Sequence, residues 1–262
     1  MVWLSWSIAL ATDWPLAQGT EVDRPEVALS ASGFIQLEAG MGLGPQTVTG
    51  LSEANAAWEG QTPVFNEGVS PSLVIRRARL IGRGSVPGTS SAINWFISAE
   101  LGKNALTRDA PVYLADASTT WTVAPGARLR LGRFKLPMSE ESLEFQPVAA
   151  EAIAFSEPVR ALLTENLVVA GKYTGPASGF RDVGAQLFDT VPLATIAGRT
   201  LALSYAVMVS NGGPSPVVDP SLDLTARVKV AWATGAPTAV RREEISAWAW
   251  FQRGSRPVAV AE

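Results

Sequence analysis

The sequence predicts an all-β protein, an antiparallel transmembrane β-barrel or partial barrel of about eight or nine strands with a partly helical inserted loop. Three observations predict it. Segments of about ten residues alternate apolar and polar side chains, as a strand does when it sends successive residues to opposite faces. Charged residues make up 17% of the chain, below the ~25% usual for soluble domains, yet no run of ~18 apolar residues offers a membrane helix. Arginines recur on the polar side of several alternating segments, where a barrel would have water.

Residues 1–28 read as an export signal followed by a polar lead-in, and residues 29–262 as the barrel domain, incomplete at its C-terminus. Val2 to Ala11 is apolar and ends in Ala9-Leu10-Ala11, the small-residue spacing of signal cleavage, although a positive leading region is missing. The first strand is expected over Ser32–Met41, with Ile35, Leu37 and Ala39 opposite Gln36 and Glu38. Gly42 to Ser70 reads as a loop. Leu73–Gly84 is the second strand, with Arg77, Arg79 and Arg83 on one face and Val74, Ala78 and Leu80 on the other.

In the third strand, Ala92–Leu101, Ile93, Trp95, Ile97, Ala99 and Leu101 face away from Asn94, Ser98 and Glu100. The fourth, Val112–Val123, sets Tyr113, Ala115, Ala117, Trp121 and Val123 against Asp116, Ser118, Thr120 and Thr122. Ala124-Pro125-Gly126 turns it into the fifth, Ala127–Leu136, where Arg128 and Arg130 oppose Leu129 and Leu131. Met138 to Leu167 interrupts the alternation. Ser156 is placed to cap a helix there, with Pro158 early in its first turn and Val159, Leu162 and Leu163 on one side. Alternation returns over Phe180–Phe188, Thr200–Ser210, Leu222–Trp232 and Ile245–Gln252. In the Leu222–Trp232 segment, Arg227 and Lys229 repeat the basic pattern of the second strand.

Composition removes several function classes. With no histidine, an imidazole base or Ser-His-Asp triad is excluded. With no cysteine, so are thiol nucleophiles, disulfides and zinc-thiolate sites. A net charge of −3 makes no case for nucleic acid. Glu140, Glu141 and Glu144 cluster, as do Glu243 and Glu244, but adjacent acids on a loop read as a solvated patch. Gly40-Met41-Gly42-Leu43-Gly44 lacks the spacing of a nucleotide loop. No metal, cofactor or catalytic step is expected.

The basic residues number 17 arginines and four lysines, and guanidinium groups bind phosphate-like oxyanions bidentately. Codon bias accounts for that ratio equally well. By strand rise, Arg77 and Arg79 stand about 7 Å apart, a spacing that offers a moving anion successive moderate sites. The expected anion pathway is Arg77, Arg79, Arg83, Arg128, Arg130, Lys135, Arg227 and Lys229. The alternative for these residues is a headgroup belt or pairing with carboxylates. Arg76 falls on the lipid side, where a basic residue at the midplane costs ~2–4 kcal/mol, so it belongs near a membrane boundary or at a bulge. Trp95, Tyr113, Trp121, Tyr205 and Trp232 are candidates for interfacial aromatic girdles.

Six segments in order carry a resemblance: Ile75-Arg-Arg-Ala-Arg-Leu80, the Trp95 to Glu100 strand, Asp109-Ala-Pro-Val-Tyr-Leu114, Leu129-Arg-Leu-Gly-Arg-Phe-Lys-Leu-Pro137 with Glu140 or Glu141, Arg181-Asp-Val-Gly-Ala-Gln186, and the Tyr205 to Gly212 strand end. From about Gly33 to Trp232 the chain resembles the phosphate-selective porin O and P family of Gram-negative outer membranes. The resemblance implies a homotrimeric barrel in outer-membrane lipid whose arginine-lined lumen conducts small anions such as phosphate. Members of that family have sixteen strands and usually end in an aromatic residue, so the chain reads as the N-terminal half of such a barrel. A closed eight-stranded relative would be filled by its own side chains. The reading from another class is a non-conducting barrel or soluble β-sandwich, in which the apolar faces are buried against a second sheet.

Overall fold

The computed structural model describes residues 29–40, 72–86, 88–89, 93–101, 112–140, 143, 167–169, 172–175, 181–211, 222–234 and 243–254. The expected export signal and the helix capped by Ser156 lie outside the described residues.

The strands are β1 Ser30–Gly40, β2 Ser72–Ser85, β3 Ile93–Leu101, β4 Val112–Ala124, β5 Ala127–Lys135, β6 Leu167–Val169, β7 Lys172–Gly175, β8 Arg181–Ile196, β9 Arg199–Ser210, β10 Asp223–Thr234 and β11 Glu243–Arg253. β6 and β7 pair only with each other; the other nine form one sheet in the order β1-β2-β3-β4-β5-β8-β9-β10-β11. Every neighbour in it is antiparallel. Among the described residues the outer edges of β1 and β11 have no further strand, so the sheet is an unclosed, partial barrel. Among the described residues no helix is long and apolar enough to cross a membrane.

Local chemistry sets the turns. Gly126, at φ +77°, follows Pro125 between β4 and β5, the positions a type II turn asks of Pro and Gly. Ala197 and Gly198 both have positive φ, 52° and 74°, between β8 and β9, as a two-residue type I′ hairpin requires. β8 runs eight residues past its expected end at Phe188. Its pairing with β5 stops at Phe188, so Pro192 sits where only β9 adjoins the strand and its missing N–H costs no ladder bond on the β5 side.

The two faces of the sheet are inverted relative to a water-soluble protein. On β10, Asp223, Thr225, Arg227 and Lys229 are buried, whereas Leu224, Val228 and Val230 are exposed. β3 repeats this with buried Asn94, Ser98 and Glu100 against exposed Ile97. On β9, Leu201, Leu203 and Tyr205 are half-buried and Val207 and Val209 exposed. No second layer covers that row among the described residues, as a sandwich would demand. The polar side chains converge on one face, and the apolar ones spread over the other.

Bulges correct the expected face assignments. In the β1–β2 pair Arg77 partners Gln36 and Ile75 partners Leu37, leaving Arg76 without a partner. Of the two expectations for Arg76, a membrane boundary or a bulge, the register shows the bulge. In the β3–β4 pair Ala115 is the extra residue, because Ser98 partners Asp116 and Ala99 partners Leu114. Tyr113 and Ala115 therefore leave the apolar face: Tyr113 lies opposite Glu100 and Ala115 is buried. Strict alternation could not detect this, since a bulge shifts parity without changing composition.

Gly132 marks a third irregularity. Its φ is +123°, and a Cβ there would stand 2.2 Å from the Ala117 carbonyl oxygen. After it, Arg133, Phe134 and Lys135 are buried in succession.

Candidate functional site

Cross-strand register builds the polar face as transverse rows. Arg79 and Glu100 are direct partners on β2 and β3. Arg79 donates through Nε to Glu100 Oε2 at 2.9 Å, and its guanidinium lies 5.8 Å from the Phe34 ring. Next to this pair, Asp116 on β4 accepts from Ser98 Oγ at 2.5 Å and from Arg181 Nε, on β8, at 2.7 Å. Arg133 donates to Ala115 O at 3.2 Å and to the Tyr113 hydroxyl. Five strands, β2, β3, β4, β5 and β8, are thus tied by charge-assisted bonds on one side of the face.

Aromatic rings hold the next cations. Arg128 and Arg130 each lie 4.7 Å from the Phe188 ring centroid, and Arg130 is 5.1 Å from that of Phe134. Arg128 also bridges to Asp189 at 2.7 Å. A guanidinium over an aromatic face keeps its charge while shedding water, which suits the buried side of a sheet.

At the other side, the chain leaving β5 folds back over the polar face. Met138 packs with Phe134, Leu136 and Met208, and Trp250 of β11 borders the cluster. Arg227 Nη1 donates to Met138 O at 2.7 Å. Arg227 and Lys229 both bind the Glu140 carboxylate, Lys229 at 2.5 Å, and Lys229 also meets Glu244 at 2.7 Å. Lys135 Nζ donates to Leu143 O at 2.7 Å. Burial alone would raise the Glu140 pKa; the Arg227 and Lys229 charges outweigh it and hold the carboxyl below its ordinary range.

Seven of the eight expected pathway residues can be located by side chain. Arg79, Arg128, Arg130, Lys135, Arg227 and Lys229 all lie on the polar face, five of them buried and Arg128 half-buried. Arg83 is half-buried and partners Phe96. The Arg77 side chain lies outside the described set; its backbone partners Gln36, two residues from Arg79. Most of these cations are paired with carboxylates rather than bare. The alternation exposed the cations but not Asp189 and Glu140 as their structural counterparts, nor Arg181 as the partner of Asp116. The alternation places Asp116 on the polar face but assigns it no partner. Register, and an 87-residue separation in the Arg227–Glu140 case, make those partnerships invisible to periodicity.

No family model, curated protein or solved structure matches this chain.

Proposed function

We propose that the chain forms an outer-membrane β-barrel, or part of one, that passes small anions such as phosphate or polyphosphate by diffusion. The inverted sheet is the observation that carries this reading. At ~4.8 Å per strand, nine strands spread an apolar face roughly 40 Å wide. A soluble monomer's largest apolar patch is typically ~300–600 Å², and lipid is the solvent that favours a larger one. The buried charged residues on the opposite face are seven cations and five carboxylates among the described residues. That surplus favours anions, and ion pairing keeps each site weak enough for release. Outer-membrane lipid and a homotrimeric assembly complete the proposal.

Single-channel recording of the full chain in planar bilayers under a potassium phosphate gradient tests it. The reversal potential should show anion preference. Cation preference would defeat the anion reading, and failure to insert would defeat the barrel.

A further inference from the structure

One transverse row crosses the middle of the polar face: Thr120 on β4, Arg130 on β5, Gln186 on β8, Met208 on β9 and Thr225 on β10 are successive cross-strand partners. Thr120, Gln186 and Thr225 are each at most 1% exposed. Yet among the described residues neither threonine hydroxyl has a hydrogen-bond partner, nor does either end of the Gln186 amide. Ser210 Oγ, one row away, is in the same state. Buried polar groups are normally satisfied, as Thr190 Oγ1 and Ser204 Oγ on this face are by each other at 2.9 Å.

We propose that Thr120, Gln186 and Thr225 form a hydrogen-bonding subsite for polyhydroxylated solutes of the sugar or polyol class. This rests on the channel reading and names a further solute class for it. A threonine hydroxyl both donates and accepts, and the glutamine amide presents one group of each kind. A solute hydroxyl has the same dual character, whereas phosphate oxygens mainly accept and would leave Gln186 Oε1 unmatched. Successive members stand two strands apart, roughly 10 Å along the sheet, so a solute bearing several hydroxyls bridges positions that one small ion cannot. Met208, between Gln186 and Thr225, carries the Leu136 and Met138 side chains. Those two side chains must move aside for a solute to reach that end of the row.

The experiment reconstitutes the full chain into phosphatidylcholine vesicles, follows arabinose entry by osmotic swelling, and records chloride conductance in parallel. Gln186→Leu and the near-isosteric Thr225→Val should each slow arabinose entry roughly threefold to tenfold, the factor expected for one hydrogen bond. Chloride conductance should stay within about twofold, and the thermal midpoint should hold or rise, since no protein partner is lost. Unchanged arabinose entry in a conducting variant overturns the subsite. A lowered midpoint with unchanged entry overturns it too, and assigns the row to structural water. An unaltered protein that conducts chloride but admits no arabinose defeats the subsite and leaves the channel standing. One that does neither defeats the channel itself.

Discussion

The two sides of the polar face are held by different kinds of ion pair. On the β2–β4 side, Glu100 and Asp116 lie on the strands themselves, and Arg79 meets Glu100 as a direct cross-strand partner. On the β10–β11 side, Arg227 and Lys229 depend on Glu140, which belongs to the inserted segment. The first set forms wherever the sheet forms. The second requires a separate segment to arrive and stay. The difference separates a wall fixed by register from a cover held through Glu140.

Removing Asp116 should give the largest effect. Asp116→Ala removes the carboxylate that the buried Arg181 guanidinium binds, a loss of about 3–5 kcal/mol, read by urea unfolding in lipid or detergent micelles. An unchanged midpoint would show that the wall does not rely on this pair. Gly132→Ala should cost about 2 kcal/mol, because alanine is strained at φ +123° and its Cβ meets the Ala117 carbonyl. Retained stability would show that β4 and β5 can separate there without penalty.

Glu140→Gln should cost only about 1–2 kcal/mol while raising conductance, because it loosens the cover and leaves the wall alone. Acid should act similarly. The folded Glu140 pKa is depressed, so its stabilisation is complete above the ordinary carboxylate range and is lost as pH falls through the lowered value. Conductance should therefore rise at low pH in the unaltered protein and lose that step in Glu140→Gln. A step that survives the substitution assigns it to another group. Glu244→Gln should have the smallest effect, at most about 1 kcal/mol, since Lys229 keeps Glu140 and Glu244 is partly solvated. A larger loss would place β11 in the wall.

The nine sheet strands were legible because their alternation has a period of two, and each expected segment overlaps an observed strand. The small β6–β7 hairpin was not anticipated. Arg76 betrayed its bulge because a charge on an apolar face breaks the pattern visibly. Ala115 did not, since alanine is at home on either face, and Tyr113 was misassigned as a result. The continuation of β8 past Phe188 does not alternate, and it accommodates Pro192 because one flank there lacks a neighbouring strand.

By itself, the sequence determined which residues form strands and which side of each is charged, because alternation is written one residue at a time. Only the tertiary structure decided that the charged side is the buried one and which carboxylate each guanidinium meets. Those outcomes depend on register and on curvature, which bring together residues as distant as Glu140 and Lys229 and which no local pattern encodes.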